Sequence, residues 1–108
     1  MTQTNNPYFL LIYRYSKDYL EKRGLYRTDH LKLVEDLVNR KYLILAGAVD
    51  NPADGAYLCF QCPDRSIIEN FIKLDPYVLN KLVESYEIRD WTVVVGTACN
   101  NPIDTSQL

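Results

Sequence analysis

The stretch Leu43-Ile44-Leu45-Ala46-Gly47-Ala48-Val49, Asp50-Asn51-Pro52-Ala53-Asp54-Gly55, Ala56-Tyr57-Leu58-Cys59-Phe60-Gln61-Cys62 decides the fold. Two apolar runs of strand length flank six residues rich in turn formers, the pattern of two strands joined by a hairpin loop. Pro63 stops the second run, and Asp64 is placed to cap a helix from Arg65 to Lys73 with Ile67, Ile68, Phe71 and Ile72 as its buried stripe. Upstream, Thr28 reads as an N-cap, and Leu31, Val34, Leu37 and Val38 follow helical spacing as far as Arg40-Lys41, where cations suit a helix C-terminus. The polar span Ser16 to Gly24 reads as a loop, and the aromatic and branched run Tyr8 to Tyr13 as the first strand. Downstream, Asp75 caps a further short helix with Pro76 at its first position and Tyr77, Val78, Leu79 and Leu82 as its apolar area. The chain then enters a last strand, Ser85 to Val95, ending at Gly96.

The resulting order is βαββαβ with a short extra helix before the last strand. Right-handed crossovers turn that order into an α+β, ferredoxin-like unit: a four-stranded antiparallel sheet with the helices on one face. Tyr8, Leu10 and Ile12 alternate with Phe9, Leu11 and Tyr13, so neither face of the first strand reads as solvent-facing. The face away from the helices therefore needs cover, and a second copy of the chain would supply it. The expected organisation is one domain over residues 1–96 and a tail over 97–108, where periodicity is lost.

The chain has 108 residues, 47% hydrophobic and 24% charged, which bounds it to a single globular domain. A net charge of -2 gives no basic field for phosphates, so no nucleic-acid partner is expected. No apolar run approaches a membrane span, and the opening residues Met1 to Pro7 lack the features of a signal peptide. Three cysteines, an odd number, fit a reducing compartment, and the expected location is cytoplasmic. Cys59 and Cys62 form a C-x-x-C, but an offset of three on a strand sends the two sulfurs to opposite faces, and the chain has one histidine to complete a tetrahedral site. Neither a metal nor an organic cofactor is expected.

The single histidine, His30, falls early in the predicted first helix, beside its buried face. An imidazole titrates near neutrality, so one oriented by a distant carboxylate is a candidate general acid or base. Asp75 is such a carboxylate. Its position before Pro76 is explained by capping alone, yet a capping carboxylate can also accept a proton from an imidazole nitrogen. Arg27, near the predicted helix start, is placed to meet an anionic group; a solvated cation is the plainer reading. Tyr13, Tyr57, Tyr77 and Tyr86 belong to a set of nine tyrosines from which a polar pocket could draw a hydroxyl, although such residues also serve as amphipathic core.

The aromatic first strand, Arg27-Thr28-Asp29-His30-Leu31, Leu45-Ala46-Gly47, Asp75-Pro76-Tyr77 and Trp91 together resemble the YCII-related (YciI-like) family of small α/β proteins over about Tyr8 to Gly96. The resemblance implies a dimeric α/β-barrel type of assembly, two ferredoxin-like sheets meeting face to face as a homodimer. It also implies a cleft in which His30 and Asp75 act as an acid-base dyad; the residues themselves then suggest Arg27, Tyr13 and Tyr77 against a small polar or aromatic molecule. The implied reaction is a cofactor-independent lyase step, such as dehydrochlorination of a hydroxy-aromatic compound, or an isomerase step. A non-catalytic ligand-binding module and a purely structural dimer are the alternatives that the residues leave open.

Overall fold

The computed structural model describes residues 6–99. Its elements are β1 (Tyr8–Tyr15), α1 (Tyr19–Asn39), β2 (Leu43–Val49), β3 (Gly55–Gln61), α2 (Ser66–Leu74), α3 (Pro76–Leu79) and β4 (Val83–Trp91). All strand pairs are antiparallel and the sheet order is β2-β3-β1-β4, so the expected α+β ferredoxin-like topology is the observed one. The sheet is open, with β2 and β4 as its edges. The expected tail falls mostly on residues 100–108, outside the described residues.

The register separates two faces. Phe9, Leu11 and Tyr13 lie opposite Phe60, Leu58 and Ala56, and all six are buried beneath the helices with Ile68, Phe71 and Ile72 of α2. The alternate residues form the other face, where Leu45 is 74%, Tyr57 48% and Trp91 45% exposed. Alternation along β1 thus serves two different surroundings, as its sequence requires.

Two elements depart from expectation. The first helix begins at Tyr19 rather than near Thr28, because Tyr19 packs on Tyr15 and Tyr77 and this tertiary contact outweighs the weak propensity of the charged, Gly24-containing stretch. Gly24 sits on the open side of the helix, with nothing near the position a Cβ would take. Thr28 is therefore no cap, Arg27 meets no free helix-end N–H groups, and His30 sits in mid-helix. The inward stripe also shifts. Leu37 is buried as expected, but Leu31 and Val38 are exposed, and Tyr26, His30 and Leu33 face inward in their place. Finally, β4 ends at Trp91, opposite Tyr8 at the start of β1; past that pair Val93, Val94 and Val95 have no partner strand among the described residues.

Local chemistry sets where α3 points. Asp75 caps it by accepting the Tyr77 N–H at 3.0 Å, and Pro76 supplies the first helical φ. Lys81, at φ 62°, closes the helix by turning the chain left-handed, so that the Leu82 N–H reaches the Tyr77 carbonyl at 2.9 Å. The turn buries Leu82 and delivers Val83 into β4.

Candidate functional site

The centre of the site is Asp75, whose side chain is completely buried. A buried carboxylate is costly unless its oxygens are satisfied. Three groups do this. The Tyr13 hydroxyl donates to Oδ2 at 2.8 Å, the Tyr77 backbone N–H donates to Oδ1 at 3.0 Å, and His30 Nδ1 lies 2.7 Å from Oδ1. Residues from β1, α1 and the α3 cap thus converge on one carboxylate. With Asp75 as an acceptor, Nδ1 carries the ring proton and Nε2 is the nitrogen left with a lone pair.

The imidazole is held on both sides. It stacks on the Tyr77 ring at 3.9 Å with 10° between planes, and Phe71 tilts against it at 6.2 Å. Its side chain keeps 12% of its surface exposed, and that surface opens into a cavity of about 510 Å³ between α1 and the sheet. This volume is within the usual range for small-molecule sites. The space exists because small residues, Ala46, Gly47, Ala48 and Ala56, line the sheet side where larger side chains would fill it.

Aromatic rings form the end wall. Tyr15 and Tyr19 stack at 3.6 Å, and Tyr19 meets Tyr77 edge-on at 5.8 Å. The Arg23 guanidinium lies 5.6 Å from the Tyr19 ring centre, in the range of a cation–π contact. Burial, reinforced by the Asp75 charge, holds the Tyr13 hydroxyl far above the ordinary tyrosine pKa, so it stays a donor at every physiological pH. Burial likewise raises Tyr15, with the neighbouring Tyr19 adding to the rise.

All five residues singled out from the sequence meet here: His30, Asp75, Arg27, Tyr13 and Tyr77. Their situations differ. Tyr13 and Tyr77 are buried residues of the cavity wall, and Tyr13 commits its hydroxyl to Asp75, whereas Arg27 is exposed. Tyr57 and Tyr86 lie outside the cavity and are about half exposed. Cys59 and Cys62 are free; burial pushes the Cys62 thiol up to about 11 with help from Asp64, and burial raises Cys59 as well, so neither is an activated nucleophile. Among the described residues no group of three or more His, Cys, Asp or Glu is gathered to hold a metal, and no helix is long and apolar enough to cross a membrane.

Sequence reasoning missed Arg23, Tyr19, Tyr15 and Asp50 as lining residues. The signal was present in the spacing of Tyr19, Arg23, Arg27 and His30, which repeats at four, four and three residues and so marks one helix face. Reading Ser16 to Gly24 as a loop concealed it.

Comparison with known proteins agrees with this architecture. The model of the YCII-related domain matches residues 8–92, most of the chain. No curated protein sequence matches significantly. Among solved structures, 5-chloro-2-hydroxyhydroquinone dehydrochlorinase from Burkholderia phenoliruptrix, in complex with 2,5-dihydroxybenzoquinone, superposes with a TM-score of 0.68 at 18% identity, covering 79% of this chain and 93% of that one. A protein described as a candidate antibiotic biosynthesis monooxygenase from Bacteroides thetaiotaomicron gives 0.59 at 17% identity, covering 86% and 93%. A NIPSNAP family protein from Agrobacterium tumefaciens gives 0.54 at 15% identity, covering 90% and 97%. At these identities the likeness shows a shared fold.

Proposed function

The chain belongs to the YCII-related family, and from that premise we propose that it is a cofactor-independent enzyme in which His30 transfers a proton to or from a small polar or aromatic substrate. The observation that carries this reading is the His30–Asp75 contact at 2.7 Å, with Asp75 fully buried and the imidazole opening into the cavity. Asp75 fixes the tautomer and offsets the positive charge that develops on the ring during transfer. Tyr13 and the Tyr77 N–H hold Asp75 in place. Arg27 faces the substrate's negative group.

In an elimination, Nε2 takes a proton from an acidic O–H or C–H of the substrate. A second hydroxyl proton is moved to the ring carbon that bears the leaving group, giving the keto tautomer with that carbon tetrahedral. The electron pair of the abstracted proton then moves through the conjugated system and the leaving group, such as chloride, departs with its bonding pair, for a net loss of HCl. An isomerisation uses the same base and returns the proton elsewhere on the molecule. The likeness in fold to a dehydrochlorinase supports trying that chemistry first. The outer sheet face, with Leu45, Tyr57 and Trp91 exposed, supports a homodimer formed through the sheets.

The test is chloride release from 5-chloro-2-hydroxyhydroquinone, followed with a chloride electrode in the wild type and in His30→Gln. Turnover lost in the variant supports proton transfer by His30; turnover that survives refutes it. Binding with recovery of unchanged compound by mass analysis would instead favour a ligand-binding module.

A further inference from the structure

Resting on the proton-transfer reading, we propose that the molecule taken into the cleft is a small planar monocarboxylate, its carboxylate held by Arg23, Arg27 and the Tyr77 hydroxyl. Three observations carry this. First, Tyr77 lines the cavity and its buried hydroxyl, beside the Arg27 side chain, makes no hydrogen bond of ordinary geometry, which is costly for a polar group unless a ligand satisfies it. Second, Arg23 and Arg27 are one helical turn apart on the cavity side of α1, and neither forms an ion pair among the described residues. Other arginines do pair, Arg40 with Asp36 and Arg65 with Asp90. Third, the charged groups lining the cavity besides His30 are these two guanidinium groups and the Asp50 carboxylate, while the Asp75 carboxylate lies buried behind the imidazole with its oxygens already satisfied, so the charge open to a ligand is mainly guanidinium.

The flat fork of a guanidinium matches the two oxygens of a carboxylate, and the tyrosine hydroxyl adds a third donor. Arg27 lies near Tyr77: burial and the neighbouring Tyr19 raise the tyrosine's pKa while the Arg27 charge works against the rise. The paired rings Tyr15–Tyr19 and His30–Tyr77 give flat walls, and a volume of about 510 Å³ admits a single substituted ring. Because the imidazole stacks on Tyr77 at 3.9 Å, a ring anchored on Arg27 and Tyr77 lies beside His30.

The experiment compares 2,5-dihydroxybenzoate with 2,5-dihydroxybenzamide, which differ in charge and little in shape, by titration calorimetry on the wild type, Arg23→Gln, Arg27→Gln and Tyr77→Phe. The benzoate should bind about tenfold or more tightly than the amide, since a hydrogen bond to a charged group is worth more than about 1.4 kcal/mol, or tenfold. Arg27→Gln and Tyr77→Phe should each erase most of that preference, and Arg23→Gln part of it, with the far-ultraviolet circular dichroism unchanged. Equal binding of the two probes, no binding of the benzoate, or a preference that survives Arg27→Gln overturns the assignment. The two readings fail separately. A neutral substrate turned over through His30 would sink the carboxylate site alone, whereas a charge preference in a protein whose turnover ignores His30→Gln would sink proton transfer alone.

Discussion

Replacing Tyr13 by phenylalanine removes one oxygen from the centre of the molecule and little else. The ring is 1% exposed and stays to fill its place, while Asp75 Oδ2 loses the hydroxyl that donates to it at 2.8 Å. A hydrogen bond to a charged group contributes about 1.5–3 kcal/mol, and a buried carboxylate oxygen left bare falls at the upper part of that range. We therefore expect a loss of about 2–3 kcal/mol. In a domain of this size that lowers Tm by roughly 8–24 °C, at about 4–8 °C per kcal/mol. Urea unfolding followed through the single tryptophan, Trp91, measures it. The same substitution in an Asp75→Asn background should cost less than about 1 kcal/mol, because the charge that made the bond strong is gone. A loss below about 0.5 kcal/mol in the wild-type background, or equal losses in both, would refute the description of Asp75 as a buried charged acceptor.

Asp75→Ala strips the partner from Tyr13, His30 and the Tyr77 N–H at once. At about 1–3 kcal/mol each this is a large share of a typical domain's stability, so cooperative unfolding should be lost or shifted far down, whereas Asp75→Asn, which keeps an oxygen for the α3 cap, should remain folded by circular dichroism. Alkaline stability should fall in a particular way. The Tyr13 pKa is raised, chiefly by burial and then by Asp75, so the folded state holds that proton more tightly than the unfolded chain does. Its contribution is complete below the ordinary tyrosine value of about 10 and declines above it, by about 1.4 kcal/mol per pH unit. Urea midpoints measured from pH 9 to 11 should drop more steeply for wild type than for Tyr13→Phe; parallel lines would contradict this. Gly55→Ala would place a Cβ 2.7 Å from the Tyr13 carbonyl oxygen, backbone that cannot swing aside, and should cost about 1–3 kcal/mol in the same assay.

The topology was legible because its cues are local and strong. The Leu43 to Cys62 hairpin, the stripe of α2 and the alternation along β1 each name their element without help from distant residues. Asp75-Pro76 specified the α3 cap as it stands in the structure. The first helix was harder. Tyr19 to Gly24 is helical because Tyr19 docks on Tyr15 and Tyr77, contacts across the fold that no window of sequence contains. Val93 to Val95 shows the opposite case: strong strand formers stay out of the sheet because β1 has already run out beside Trp91. The meeting of His30 with Asp75 came from family resemblance rather than spacing, since 45 residues separate them. The orphan hydroxyl of Tyr77 and the inward turn of Arg23 are properties of packing and had no sequence signature beyond the helix-face spacing.

The most direct test of the account is the state of one ring. Because His30 is the only histidine, nitrogen-15 NMR of the imidazole gives one pair of ring signals with no assignment problem. In the neutral form the account predicts the proton on Nδ1, bonded to Asp75, with Nε2 showing the shift of an unprotonated nitrogen available to a substrate. A proton residing on Nε2 would leave no base facing the cavity and would contradict the proposed role of His30.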